Sequence, residues 1–98
     1  MEESEEKLRD KVIEALSQVI DPEIGLNVWE ARLIKDLVLK GNTVSLTFVP
    51  SSPICPLAFQ LGIDIKKALE KVEEIDKIII DVDGYIDNAR LKSAIEGA

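Results

Sequence analysis

Between Ser4 and Ile20 the apolar residues Leu8, Val12, Ala15, Leu16, Val19 and Ile20 recur at steps of three and four. That spacing collects them on one side of an α-helix. Ser4 is placed to act as the N-cap, and Glu5 and Glu6 suit the positive end of the helix dipole. Pro22 sets the limit, because the residue ahead of a proline is driven out of helical geometry. The period then changes. Val44, Leu46 and Phe48 alternate with Thr43, Ser45 and Thr47, which predicts a strand over Thr43–Val49 with one buried face. Leu33–Leu39 reads as its partner, joined through Gly41-Asn42; glycine in the first loop position fits a type II′ hairpin.

A second amphipathic helix is predicted over Pro56–Glu73, with Leu57, Leu61, Ile65, Ala68, Leu69 and Val72 on one side. Gly62 lies inside it at a cost of about 1 kcal/mol relative to alanine, which a close packing approach would explain. Lys77–Val82 ("KIIIDV") reads as a third strand, and residues 88–96 as a short last helix with Leu91, Ala94 and Ile95 inward. The order α-β-β-α-β-α predicts an α+β fold, a two-layer domain with helices on one face of a small mixed sheet. Residues 1–98 are expected to form a single domain.

Composition narrows the function. Of 98 residues, 46% are hydrophobic and 32% charged, the balance of a globular chain. The net charge of −7 repels a phosphate backbone, and there is no Lys/Arg stripe with interleaved aromatics, so no nucleic-acid partner is expected. No apolar run approaches the roughly 18 residues of a membrane helix, and the acidic N-terminus does not read as a secretory signal. A single cysteine makes no intramolecular disulfide, which points to a reducing cytoplasm. Histidine is absent, removing the commonest general base and the commonest nitrogen ligand for metals. No catalytic set is expected, and the protein reads as a non-enzyme.

The one thiol sits in "VPSSPICPLAF", where Cys55 lies between Pro53 and Pro56 and follows Ser51 and Ser52. With Pro56 in the first helical position, Cys55 would be the N-cap, partly exposed, where helix dipole and free amides favour a thiolate. Ser51 and Ser52 would then offer hydroxyls to the sulfur or to a ligand. The plainer alternative is a buried cysteine acting as a small hydrophobe. A second irregular stretch, Asp21–Arg32 ("DPEIGLNVWEAR"), exceeds the typical connection of about 4–6 residues. There Asp21 serves either as a turn cap or as part of a site, and Glu23 either as a solvated charge or as part of the same site. Trp29 is expected at least half-buried. Arg32 is expected to pair with Glu23, Asp21 or Glu30, or to bind an anion beside the thiol. In an antiparallel hairpin the start of the first strand and the end of the second lie side by side, which brings the two irregular stretches together.

These motifs, "VIDPEIGLNV", a hairpin and "SSPICPLAFQL", resemble the PaaD/SufT-like small iron–sulfur cluster assembly domain family, related to the eukaryotic cytosolic iron–sulfur targeting proteins. The resemblance covers about residues 12–82. It implies that Asp21, Glu23, Ser51, Ser52 and Cys55 form one binding site, with iron or an iron–sulfur cluster held transiently. It also implies client or carrier proteins as partners. Three positions depart from the family pattern: Ala31-Arg32 stands for Leu-Gly, Ser51-Ser52 for two threonines, and "DGYIDNARLK" for a Pro-Trp segment after the third strand.

A ligand count constrains the mechanism. A cluster normally takes four protein ligands, mostly thiolates, whereas one chain supplies one and a symmetric homodimer two. Cys55 is therefore expected to share iron or a cluster with a client or carrier, while Asp21 or Glu23 adds an oxygen ligand or takes the thiol proton. Two other readings stay open: a thiol-based redox sensor or enzyme, and a protein-interaction module with a structural cysteine.

Overall fold

The computed structural model describes the backbone of residues 2–98 and the side chains from residue 6 onward. Helix α1, Glu2–Leu16, buries Leu8, Val12 and Leu16, the stripe expected of it. It begins at Glu2, so Ser4 lies inside it; the Ser4 and Glu5 side chains lie outside the described residues.

The helix also ends four residues before the expected Ile20. Ser17 caps that end by donating its hydroxyl to the Ile13 carbonyl at 2.8 Å. The β-branched Val19 and Ile20 then take extended geometry, which suits them better than a last helical turn ahead of Pro22. Ile20–Asp21 (β1) pairs with Leu26–Asn27 (β2) in a short antiparallel ladder. Val19 stays buried, and Ile20 faces solvent.

Strands β3 (Ile34–Lys40) and β4 (Thr43–Phe48) form the predicted hairpin, and β5 (Lys77–Val82) adds parallel to β4, giving a mixed sheet of order β3-β4-β5. Gly41 takes φ +56° and Asn42 does not have positive φ, the pattern of a type II′ turn. Asn42 also sets the register of β5: its carbonyl accepts from Asp76 N–H at 2.8 Å, and its amide donates to the Asp76 carboxylate at 3.2 Å. Within β3 the pairing shifts between Lys35 and Val38, and Asp36 takes φ +52°. This bulge inserts one residue and turns Leu37 and Leu39 toward the core. Regular alternation from Ile34 would have put Asp36, Val38 and Lys40 there instead.

Helix α2 (Ala58–Glu70) crosses over between the parallel strands, and α3 (Asn88–Glu96) closes the layer. All the helices pack on one face of the sheet. There Val44, Leu46, Phe48 and Ile80 meet Val12 and Leu16 of α1, Leu61, Ile65 and Leu69 of α2, and Leu91 and Ile95 of α3. Each fully buried side chain of this size contributes about 1.5–3 kcal/mol. Helix α2 is shorter than the predicted Pro56–Glu73 at both ends. Lys66 of α2 donates to the Glu96 and Ala98 carbonyls at 2.9 and 3.0 Å, satisfying acceptors that the end of α3 leaves free.

Gly62 marks the crossing of α2 and α3. A Cβ there would lie 2.3 Å from Ile95 Cδ1 and 2.6 Å from Ile95 Cγ1. Gly62→Ala is therefore expected to lose about 1 kcal/mol net, the overpacking cost of about 1–3 kcal/mol outweighing the gain in helix propensity. The loss should shrink in an Ile95→Val background, which lacks the nearest atom. Thermal melts of the single and double variants test this; a Gly62→Ala protein melting higher than wild type would contradict the close approach.

Candidate functional site

The acidic turn is built around Asp21, which is 0% exposed. Its Oδ1 accepts from Glu23 N–H at 2.9 Å, and its own carbonyl accepts from Gly25 N–H at 2.8 Å. Aspartate is suited to this because its short carboxylate reaches the amide two residues on. Gly25, at φ +69°, supplies the left-handed step that returns the chain into β2. The other carboxylate oxygen, Oδ2, accepts from Ser51 Oγ at 3.2 Å. One buried carboxylate thus ties the acidic turn to the thiol loop.

The thiol loop leaves β4 through Val49, whose N–H donates to the Leu33 carbonyl at 2.7 Å. Ser52 Oγ accepts from Ile54 N–H at 3.3 Å, and the Ser52 carbonyl accepts from Cys55 N–H at 3.1 Å. The Cys55 carbonyl then accepts from Ala58 N–H at 3.2 Å. These successive turns delay the helix, so its N-cap is Leu57 and not Cys55, and Pro56 lies in a turn ahead of the first helical residue. The expected partial exposure of the cysteine is also corrected: Cys55 is 0% exposed and belongs to the core cluster.

Its thiol meets Glu23. Cys55 S–H donates to Glu23 Oε2 at 3.7 Å. Glu23 is itself exposed, so its side chain lies between the sulfur and water. All five residues singled out from the sequence are brought together, in two bonded pairs: Asp21 with Ser51, and Glu23 with Cys55. Ser52 completes the loop. The serine hydroxyls bond to Asp21 and to the Ile54 amide rather than to sulfur.

Arg32 makes none of the expected ion pairs; among the described residues the pairs are Lys11–Glu74 and Lys92–Asp81. It is exposed with φ +61°. This is the backbone conformation glycine favours, at the position where the family pattern carries glycine. Trp29 is partly buried against the core, as expected.

Sequence reasoning missed a third segment. Residues 83–87, following β5, strap the thiol loop. Ile86 N–H donates to the Pro53 carbonyl at 2.8 Å, and the Tyr85 hydroxyl to the Cys55 carbonyl at 3.4 Å. Tyr85 also meets Phe59 edge-on, with ring centroids 6.0 Å apart. The available signal was Gly84-Tyr85 between a strand and a helix: Gly84 has φ +73°, and a Cβ on it would lie 3.1 Å from Val49. Among the described residues no group of three His, Cys, Asp or Glu side chains is spaced to hold a metal ion.

Residues 9–82 match the family described as iron–sulfur cluster assembly protein. This chain belongs to that family. The iron–sulfur assembly domain shares 34% identity over 73 residues with an iron–sulfur cluster carrier protein of Synechocystis, covering 74% of this chain and 21% of that one. It therefore spans about a fifth of that carrier's length. A Bacillus subtilis Fe-S protein maturation auxiliary factor is 33% identical over 72 residues, covering 72% of this chain and 71% of its own. In three dimensions, a Bacillus anthracis domain of unknown function superposes with a TM-score of 0.71 at 32% identity. That match covers 80% of this chain and 76% of the other.

Two outcomes follow for the assembly domain. Asp21→Ala removes the acceptor for both the Glu23 amide and the Ser51 hydroxyl, and should cost about 1–3 kcal/mol. Denaturant unfolding measures this, and a variant as stable as wild type would show that the tie does not order the loops. Glu23→Ala should leave stability within about 0.5 kcal/mol, since the residue is exposed. It should nevertheless raise the rate at which iodoacetamide labels Cys55 several-fold. An unchanged labelling rate would mean that Glu23 does not cover the sulfur.

Proposed function

We propose that this protein is an accessory factor in iron–sulfur cluster assembly or delivery, in which Cys55 is a transient ligand completed by ligands from a client or carrier. The observation that carries the reading is the contact between the only thiol and Glu23 Oε2. Iron is cargo here. When sulfur takes up iron, its proton passes to the Glu23 carboxylate; when client thiolates displace Cys55, the proton returns and the iron–sulfur bond to Cys55 breaks. Asp21 has both carboxylate oxygens engaged in hydrogen bonds, which supports a role in positioning Glu23 rather than in binding metal. Four ligands are the norm for a cluster, so a single thiol suits hand-over better than storage. The factor acts stoichiometrically in the cytoplasm, not as an enzyme. Among the described residues no helix is long and apolar enough to cross a membrane.

Burial of Cys55 favours a second reading, an interaction module in which the cysteine only packs. A redox sensor is less supported, because the thiol is enclosed and no second cysteine in the chain can resolve a sulfenic acid.

Cys55→Ser separates the first two. The serine hydroxyl keeps Glu23 as acceptor, so the stability cost should stay near 1 kcal/mol. Anaerobic incubation with ferrous iron, sulfide and an apo-ferredoxin should show faster cluster appearance with wild type than with the variant. Cells carrying only Cys55→Ser should contain under-matured iron–sulfur enzymes. Full maturation in those cells would reject the transient ligand. A stability loss above about 3 kcal/mol would favour the packing cysteine.

A further inference from the structure

The exposed large apolar residues are not scattered evenly. Ile20, Ile24 and Leu26 lie on the acidic hairpin, Ile54 precedes Cys55, and Ile86 sits on the strap; among the described residues only Val38 and Ile79 lie elsewhere, on the outer face of the sheet. Single exposed apolar residues are ordinary, but a cluster of them marks a contact surface. Ile54 is 69% exposed and Ile86 74%, although the backbone of Ile86 is anchored 2.8 Å from the Pro53 carbonyl beside Ile54. Ile24, 42% exposed, follows Glu23, whose carboxylate meets the thiol. Three chain segments thus hold isoleucines outward around one buried sulfur.

Charge indicates what covers them. Residues 20–26, 49–57 and 82–89 contain Asp21, Glu23, Asp83 and Asp87, and no lysine or arginine. Glu23, Asp83 and Asp87 are exposed. The outer sheet face is mixed in charge, with Lys35, Lys40 and Lys77 but also Asp36 and Asp81 on the strands that carry Val38 and Ile79. A second copy docked rim to rim would oppose carboxylates to carboxylates, which is unfavourable. We propose that the isoleucine rim around Cys55 is the docking surface for an iron–sulfur client or carrier protein whose own apolar patch is flanked by lysine or arginine. The proposal rests on Cys55 as transient ligand and adds the surface and the partner's chemistry. The family match ends at Val82, so Ile86 and its strap lie outside the matched residues.

Benzoylphenylalanine placed at Ile54, Ile86 or Val38 in the full chain, with photo-crosslinking in cells and mass spectrometry, tests the surface. Positions 54 and 86 should yield the same cysteine-bearing iron–sulfur protein, and position 38 should not. With that protein purified, Ile54→Ser/Ile86→Ser should bind about tenfold or more weakly at an unchanged melting temperature. Added salt should weaken the wild-type complex. No product, a product only with a second copy, equal labelling from Val38, or binding indifferent to salt would overturn the proposal. Cys55→Ser keeps the rim, so it should still cross-link while losing maturation. Full maturation by Cys55→Ser would remove the ligand reading alone, whereas normal binding by the isoleucine variant would remove the docking surface alone.

Discussion

The site depends on one buried carboxylate. Asp21 is fully enclosed, a placement that is costly unless its oxygens are hydrogen-bonded. Oδ1 takes the Glu23 amide and Oδ2 the Ser51 hydroxyl, and among the described residues no buried side-chain polar atom lacks a partner. The first bond shapes the turn after β1; the second fastens that turn to a loop beyond the β3-β4 hairpin. Glu23 reaches the thiol because Asp21 fixes the turn from which it projects.

The enclosed thiol then takes on a specific character. A free cysteine on a surface is open to oxidants, whereas Cys55 is shielded by core residues and by an acidic side chain at hydrogen-bond range. The backbone amide of Glu23 is held by Asp21, while its exposed side chain carries the contact to the thiol. A shielded sulfur with a carboxylate at hydrogen-bond range is the arrangement on which the proposed transient ligation rests.

Two departures from the family pattern acquire physical meaning in the fold. Arg32 holds a left-handed conformation at +61°, one that glycine adopts without the steric cost an L side chain meets. The segment after β5 becomes a strap through Ile86 and Tyr85, and its Gly84 allows the close pass over Val49. The strap bonds to the thiol loop at Pro53 and Cys55 and adds the exposed Ile86 to its edge.

Much of this architecture is legible in the chain itself. The spacing of Leu61, Ile65 and Leu69, the alternation of Val44, Leu46 and Phe48, and the Gly41-Asn42 turn depend on local periodicity and backbone preference, which neighbouring residues express directly. The convergence of Asp21, Glu23, Ser51, Ser52 and Cys55 also followed, because hairpin geometry joins the two ends. What stayed hidden was decided by long-range contacts. Helix α1 stops at Leu16 because Ile20 and Asp21 pair with β2, and periodicity carries no record of that competition. Cys55 is buried, and two residues short of the helix cap, because Ser52 directs successive turns and because core residues, Glu23 and the strap close over it. The β3 bulge at Asp36 and the approach of Ile95 to Gly62 likewise need partners distant in sequence. Local pattern determined which elements form; the packing of distant segments determined which side chains see water, and so placed the thiol.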